Sequence, residues 1–356
     1  MIDDDLHGVH GPGVAVFMLM GNRELSSGGP FFKDITTQKT HVTQELYNYM
    51  YSSHTQTEPF RGGLHGVYDL LFTSGDSPPK MLMDLGFVDA SLGLKGFLDN
   101  AGRGSISGLV SGVSGQLPAT VGLRNAGAEY WTRADANGNF ALTGLRPGHY
   151  QITLYDNELE VAQSSADITA GNRTHYVLRA RTLPGQVKWQ IGLPDGTPSG
   201  FRNARLLVSA HPSDQRMAPW QPVNYRVGTS PESDFPAVQW RNVNTPTRIS
   251  FSLCPNEVHD FTLRIFITLA QFGGRPQVSV NQRWNANVLE ASVQPKSRGI
   301  TRGTYRGNNT FYNIAIPGSA LHLGMNTVDI NVASGQTGHS FLSPGFVYDS
   351  VELIEE

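Results

Sequence analysis

A row of tyrosines in the segment 44–51 is the first feature whose residue types suit ligand chemistry. Tyr47, Tyr49 and Tyr51 alternate with other residues, so an extended strand would place their three phenols on one face. Tyrosine offers a ring that stacks on a sugar and a hydroxyl that hydrogen-bonds to it. The same alternation is also typical of ordinary cross-strand packing, and Tyr51 is the member expected to point inward. We therefore keep Tyr47 and Tyr49 as candidate sugar-binding residues.

An arginine cluster toward the C-terminal end, SRGITRGTYRG at 297–307, suits the binding of an anion. Its members are Arg298, Arg302 and Arg306. A guanidinium can bind a carboxylate through two parallel hydrogen bonds, which a lysine ammonium cannot do. Taken alone, three arginines among glycines are more often a solvated loop. The cluster becomes a candidate carboxylate site only when a second observation supports it.

Proton transfer needs a group that titrates near neutral pH, and histidine is the usual candidate. The chain has eleven histidines, so one of them, such as His54, is more often a surface or structural residue when nothing else is known. The paired carboxylates that glycoside hydrolysis requires are not evident in the sequence. The acidic run at 3–5 is explained by a frayed terminus as readily as by a cation site, and we assign no metal to it.

Composition limits the class of protein. A chain of 356 residues is longer than one ordinary core, which predicts two or three domains. The 39 glycines and 21 prolines, with only 16% charged residues, favour a turn-rich β architecture. A net charge of −3 provides no basic surface for nucleic acid, and no apolar run is long enough for a membrane span. The single cysteine, Cys254, excludes an internal disulfide and is expected to be a buried strand residue.

Strand patterns follow one another along the chain. Apolar runs at 14–20 and 68–72 are separated by clusters of glycine, serine and proline. From about residue 102, short strands alternate with turn signals such as Asn137-Gly138, which predicts one small β-sandwich ending near 183. Later runs predict the two packed antiparallel sheets of a jelly roll. These runs lie at 247–253, 261–270, 276–281, 326–334 and 346–354.

Several long and collinear motifs resemble one family. They include GGPFFKDI, ELYNYMYSSHTQTE (45–58), RGGLHGVY (61–68) and SRGITRGTYRG, with GFRNA, HPSDQRM and LSPGFVYDSVEL in the second half. Together they resemble the fungal type of rhamnogalacturonan lyase, polysaccharide lyase family 4, over essentially the whole chain. The segment DANGNF…GLRPGHY (135–150) is in addition similar to fibronectin type III-like and carboxypeptidase-regulatory-like modules.

This resemblance implies a β-elimination. In the family a base removes the proton at C5 of a galacturonate and the glycosidic oxygen at C4 leaves, which gives a 4,5-unsaturated uronate. A proton beside a carboxylate is only weakly acidic, so the site must neutralise that carboxylate, hold a base at C5 and protonate the leaving oxygen. The family uses a lysine as base and a histidine as acid, with no catalytic metal or other cofactor. The implied substrate is the backbone of rhamnogalacturonan I, between rhamnose and galacturonate.

The resemblance also assigns residues. It implies that His54 is the catalytic acid, and that the substrate is bound by Tyr47, Tyr49, Thr55, Glu58, Arg298, Arg302 and Arg306. Which two of the three arginines reach the uronate carboxylates is left open. The lysine base has no counterpart, because only 53 residues precede His54 and neither Lys33 nor Lys39 lies in the matching segment. The chain is therefore expected to lack the base and most of the catalytic sandwich, and a non-catalytic, pectin-binding fragment is the alternative function.

The implied architecture is all-β. Residues 1–98 are expected to form the C-terminal part of a catalytic β-sandwich, 99–185 a fibronectin type III-like domain and 186–356 a carbohydrate-binding jelly roll. Such jelly rolls often hold a structural Ca²⁺, and Asp349 is a candidate ligand. The expected partner is the polysaccharide, with neither nucleic acid nor membrane. A secreted monomer is expected, although the N-terminus has no signal-peptide pattern.

Overall fold

A computed structural model describes residues 6–20, 23–32, 36–48, 51, 58–75, 88, 90–115, 118–295 and 299–355. The chain divides into two compact units, Met1–Thr182 and Leu183–Glu356. Regular structure in the described ranges is almost entirely β-strand, which confirms the all-β class. No helix among these residues combines the length and apolar character needed to cross a bilayer. The division into three domains at 98 and 185 stays a prediction.

The first unit contains a short 3-10 helix at Ala90–Leu92 and a series of strands. The strands are β1 (Leu6–Gly11), β2 (Val14–Met20), β3 (Thr37–Lys39), β4 (Gln44–Leu46), β5 (Tyr68–Thr73), β6 (Gly104–Ser111), β7 (Thr120–Arg124), β8 (Glu129–Arg133), β9 (Asn139–Leu145), β10 (Gly148–Asp156), β11 (Leu159–Ile168) and β12 (Arg173–Arg179).

The N-terminal part of this unit consists of two small antiparallel sheets. One has the order β1-β2-β5, and the other is the β3-β4 hairpin. Strands β2 and β5 confirm the apolar runs predicted at 14–20 and 68–72. The strand predicted over 44–51 is wrong in extent, because β4 ends at Leu46 and Tyr47 donates its backbone N–H to the Thr36 carbonyl. Tyr47 and Tyr51 therefore lie outside that strand, and Tyr49 is not among the described residues.

The rest of the first unit is a β-sandwich. Its two sheets have the orders β11-β10-β7-β8 and β12-β6-β9, and they enclose one hydrophobic core. Strand β6 alternates buried and more exposed residues, as a strand with one face on a core must. The predicted turn at Asn137-Gly138 is confirmed. There the Asp135 carboxylate accepts the backbone N–H groups of Asn137 and Asn139, and Gly138 has a φ of 84° that favours glycine.

The second unit contains ten further strands in the described ranges. They are β13 (Gln186–Ile191), β14 (Val223–Arg226), β15 (Val238–Trp240), β16 (Thr247–Leu253), β17 (Phe261–Gln271), β18 (Arg275–Val280), β19 (Trp284–Asn285), β20 (Thr310–Ile316), β21 (Gly324–Ala333) and β22 (Gly345–Glu355). Short 3-10 helices connect some of them, at Ala204–Leu206, Glu232–Asp234, Pro255–Glu257, Gly299–Arg302, Gly318–Ala320 and Ser340–Leu342.

These strands form two five-stranded sheets around one large core. The first sheet has the order β13-β22-β17-β20, with β15 also paired to β22, and the second has the order β14-β16-β21-β18-β19. All five runs predicted from the sequence become strands β16, β17, β18, β21 and β22. The prediction for Cys254 is wrong, because this residue is exposed and directly follows the end of β16.

Candidate functional site

Four of the residues assigned by the resemblance, Tyr49, His54, Thr55 and Arg298, lie outside the described residues. Their roles stay predictions. The other four, Tyr47, Glu58, Arg302 and Arg306, are described, the first pair in the first unit and the second pair in the second unit.

Tyr47 lies directly after β4 and is half-buried. Its carbonyl accepts a hydrogen bond of 2.9 Å from Nε2 of His7 on β1, and its hydroxyl donates to Glu45 and, at 3.4 Å, to Gln38. The backbone of Tyr47 is thus fixed by β1, whereas its phenol lies beside the polar side chains of the β3-β4 hairpin. The role of Tyr47 in binding a sugar stays a prediction.

Glu58 is held on several sides. Its carboxylate pairs with Arg61, accepts the Gly28 N–H at 3.3 Å and lies 3.6 Å from Nη1 of Arg124. Its carbonyl accepts a 2.9 Å hydrogen bond from the Tyr51 hydroxyl. Only 13% of the Glu58 side chain is exposed. Glu58, the last residue of the motif 45–58, is therefore held firmly in place. Its carboxylate is already engaged with protein groups.

Arg61 is the centre of this arrangement, and sequence reasoning missed its role. Its side chain is 5% exposed and is shared between two carboxylates, those of Glu58 and of Glu129 at the start of β8, the latter at 3.2 Å. The remaining guanidinium hydrogens go to the carbonyls of Ser26 at 2.6 Å and Asn125 at 3.0 Å. One buried cation thus ties the 58–61 segment to the β-sandwich.

Glu129 has an unusual environment for a carboxylate. Its side chain is 2% exposed, and burial raises its pKa to about 7, with a further rise from the charge of Glu58. Three groups lower this pKa: Arg61, the Ser26 hydroxyl and the Gly29 N–H. Their combined effect is smaller than the rise caused by burial. Two buried carboxylates share one guanidinium here, so near-neutral solution favours a proton on Glu129.

We expect Glu129 to make the first unit less stable as pH rises from about 4.5 to about 7. The folded state retains the proton in this window while the unfolded chain has lost it, so the free energy of unfolding falls by up to about 3 kcal/mol. Glu129→Gln removes the titration. Amide hydrogen exchange of β7 and β8, measured across this pH range, should show wild type losing stability relative to the variant.

A control for this experiment is Glu160→Gln, which changes an exposed glutamate of the same unit on β11. The free-energy difference between this control and wild type should stay flat with pH. A flat difference for Glu129→Gln as well, or one in which wild type gains stability with rising pH, would contradict the raised pKa.

A third buried carboxylate, Glu24, anchors the same N-terminal segment. It is 3% exposed and binds Arg103 at 2.8 Å, Arg146 at 2.8 Å and the Tyr130 hydroxyl at 2.7 Å. Burial alone would raise the pKa of Glu24, but the hydrogen bonds from Arg103, Tyr130 and Arg146 together lower it. Glu24 therefore stays ionised and adds a second charged link between this segment and the sandwich.

The described arginines of the C-terminal cluster differ from one another. Arg302 ends the 3-10 helix Gly299–Arg302 and is exposed. The guanidinium of Arg306 lies 4.6 Å from the centre of the Tyr305 ring and donates to the Tyr305 hydroxyl at 2.9 Å. Stacking of this kind orients a guanidinium. Both residues stay proposed carboxylate ligands.

Asp349, the candidate calcium ligand, is 1% exposed on β22. Its carboxylate accepts the backbone N–H groups of Asp195 and Gly196 at 3.1 Å. Burial raises the pKa of Asp349 well above its usual range, and the nearby Asp195 charge adds to this rise. In the described residues no three histidine, cysteine or acidic side chains are grouped as metal ligands. The structural Ca²⁺ stays a prediction, and at Asp349 it would compete with these backbone donors.

The two key buried groups left different signals in the sequence. Arg61 begins the motif RGGLHGVY, so its position within a family motif could have marked it. Glu129 lies in the strand sequence EYWTR. Nothing in that local sequence indicates its buried partner Arg61, which lies 68 residues earlier.

Comparison with protein-family models gives three consecutive matches. Residues 1–96 match the model "Rhamnogalacturonan lyase B, N-terminal". Residues 102–176 match domain II of polysaccharide lyase family 4, and residues 187–353 match domain III of the same family. The matches follow one another in order along the chain.

Curated relatives match along almost the whole length of this sequence. A probable rhamnogalacturonate lyase A of Aspergillus clavatus is 40% identical over 354 residues, which is 99% of this chain and 66% of the relative. Rhamnogalacturonate lyase A of Aspergillus aculeatus is 39% identical, over 99% of this chain and 67% of the relative. A putative rhamnogalacturonase of Neurospora crassa is 40% identical over 99% of this chain and 65% of its own length. The chain thus spans about two thirds of the length of these relatives.

Proposed function

Because the chain belongs to polysaccharide lyase family 4, we propose that it acts in the eliminative cleavage of rhamnogalacturonan I, between rhamnose and galacturonate. The product would carry a 4,5-unsaturated uronate at its new end. The single observation that supports this proposal is the collinear match of three family models from residue 1 to residue 353.

The proposed roles cover three needs of the elimination: the acid, the sugar contacts and the partners of the uronate carboxylate. The fourth is a base that takes the proton from C5 as the C4–O bond breaks; in the family this is a lysine, and no residue of this sequence is assigned to that role. His54 protonates the leaving glycosidic oxygen, since an imidazole can donate a proton near neutral pH. Tyr47 and Tyr49 contact the sugar rings, with Thr55 and Glu58 beside the histidine. Arginines among Arg298, Arg302 and Arg306 neutralise the uronate carboxylate, which makes the C5 proton more acidic.

The first unit supports these roles through the way it holds the described members. Tyr47 is fixed by His7 and Glu58 by Arg61, and both anchors are buried. A fixed side chain loses little conformational entropy when the polysaccharide binds, so more of the contact energy is available for binding.

A second candidate function is binding of pectin without turnover. The observation that favours it is the match of residues 187–353 to a family model described as CBM-like, the type of domain that binds carbohydrate. A protein of this kind would bind the same polysaccharide through the same tyrosines and arginines. It would leave the glycosidic bonds intact.

Absorbance separates the two functions. We expect incubation of the full chain with rhamnogalacturonan I to produce a steady rise in ultraviolet absorbance, because elimination leaves a double bond conjugated with the uronate carboxylate. A matched incubation with a neutral galactan should give no rise. Binding of rhamnogalacturonan I without any rise in absorbance would instead establish the binding function.

We further propose that the protein acts outside the cell as a monomer, on a polysaccharide and without a catalytic cofactor. The location is supported by the polymer in the family description, rhamnogalacturonan, which is a cell-wall polysaccharide.

A further inference from the structure

A cleft lies in the N-terminal part of the first unit, and none of the residues assigned above is in its described wall. It has a volume of about 380 Å³ and is formed between the turn of the β1-β2 hairpin and the turn of the β3-β4 hairpin. The side-chain amide of Gln44 on β4 donates to the carbonyl of His10 on β1 and so connects the two hairpins. We call this feature the hairpin cleft.

The charges of the hairpin cleft have one sign. Lys39, His10 and His41 line it and are exposed, whereas no aspartate or glutamate occurs among the described residues that form its wall. An ammonium group attracts carboxylates and an imidazole N–H can donate a hydrogen bond to one, and an opening without acidic side chains does not oppose that attraction. The hairpin cleft therefore favours an anionic ligand.

The remaining wall is largely apolar. Pro12 and Val16 contribute aliphatic surface, and the exposed Val42 lies at the tip of the second hairpin. A small inorganic anion gains nothing from such a surface. A uronate ring has both a carboxylate for the cations and a face of C–H groups for the aliphatic wall, so it matches both features.

The second hairpin is also fixed before any ligand binds. Within its turn, Thr40 Oγ1 accepts the backbone N–H of Thr43 at 3.0 Å and bonds to the Thr43 hydroxyl at 2.7 Å. The Thr40 N–H donates to the Thr43 carbonyl at 2.9 Å. Lys39 and His41 flank Thr40, so their backbone positions are set by this network, and preorganisation lowers the entropic cost of binding.

We propose that the hairpin cleft is an accessory subsite that binds galacturonate units of an acidic polysaccharide through Lys39, His10 and His41. The choice of ligand rests on the proposed function, but the subsite itself needs no turnover. It would hold a stretch of the polymer while another stretch is processed.

The experiment titrates the full chain with trigalacturonate and follows the imidazole signals of the histidines by NMR. We expect the signals of His10 and His41 to shift. Galactotriose, which is neutral, and sulfate, which lacks a sugar ring, should leave them unshifted or shift them only at far higher concentration. Shifts confined to other histidines, or equal effects of sulfate and trigalacturonate, would overturn the proposal.

A pair of double variants tests the energetics. Lys39→Ala with His41→Ala should weaken trigalacturonate binding about tenfold or more, as expected for loss of two hydrogen bonds to a carboxylate. The control, Lys95→Ala with His175→Ala, removes one lysine and one histidine from exposed positions of the same unit and should bind like wild type. Equal affinity of the two double variants would overturn the proposal. These binding measurements do not depend on the ultraviolet absorbance that reports elimination. Failure of the subsite and failure of the lyase function are therefore distinguishable.

Discussion

Replacing Arg61 by alanine is expected to lower the free energy of unfolding of the first unit by about 3–5 kcal/mol, the usual cost of removing one partner from a buried ion pair. The substitution would leave Glu58 and Glu129 without their shared cation, and these side chains are 13% and 2% exposed. Two backbone carbonyls, of Ser26 and Asn125, would also lose their donor. An unpaired buried carboxylate has neither water nor a counter-ion to stabilise its charge.

Amide hydrogen exchange in β7 and β8 reports on the first unit separately from the second. Arg124→Ala is the matched control, because Arg124 also approaches Glu58, at 3.6 Å, but is 41% exposed. Its loss should cost less than about 1 kcal/mol, as exposed pairs do. Adding Glu129→Gln to Arg61→Ala should recover part of the lost stability, since a buried carboxylate without Arg61 must either stay unpaired or take up a proton that the unfolded chain does not hold. Equal costs for the Arg61 and Arg124 variants would show that the buried network is not the anchor.

Replacing His54 by alanine is expected to lower the rate of absorbance increase on rhamnogalacturonan I by roughly 10²–10⁴-fold, the typical contribution of a general acid or base. The glycosidic oxygen would then leave without a proton donor. Binding of the polysaccharide should change little, because the tyrosines and arginines that contact the sugar are retained. We therefore expect the loss in kcat, with KM nearly unchanged.

Two further readouts separate an acid from a residue that only supports the structure. The residual activity of His54→Ala should lose the decline toward high pH that deprotonation of an essential acid causes. His175→Ala, an exposed histidine on β12, should retain wild-type rates. A His54→Ala enzyme with full activity would remove this residue from the mechanism.

The positions of many strands along the chain could be predicted from the sequence, because strands of a β-sandwich carry their own periodic signal. The runs that became β2, β16 and β18 alternate or cluster apolar residues between clear turn residues. Strands β17 and β22 show a limit of that signal. Almost every residue in both strands is buried, so neither strand has one face toward solvent. Their sequences therefore do not alternate apolar and polar residues along their whole length.

The first unit shows what local patterns could not predict. The tyrosine alternation at 47, 49 and 51 indicated a strand, but β4 ends at Leu46, where the chain is instead fixed by a long-range bond from His7. Likewise Glu58 belongs to a family motif, whereas its pairing with Arg61 and the link onward to Glu129 depend on residues brought together by folding. Such pairs follow from tertiary packing, which spacing along the chain does not encode.

The masses of the reaction products test the proposed elimination most directly. We predict that one cleavage of a defined rhamnogalacturonan oligosaccharide gives two fragments whose masses sum to the mass of the intact substrate, because elimination adds no water. The fragment with the new non-reducing end should be the one that absorbs ultraviolet light. Fragments whose summed mass exceeds the substrate by one water would show hydrolysis and would contradict the proposed reaction, and unchanged substrate that remains bound would contradict turnover itself.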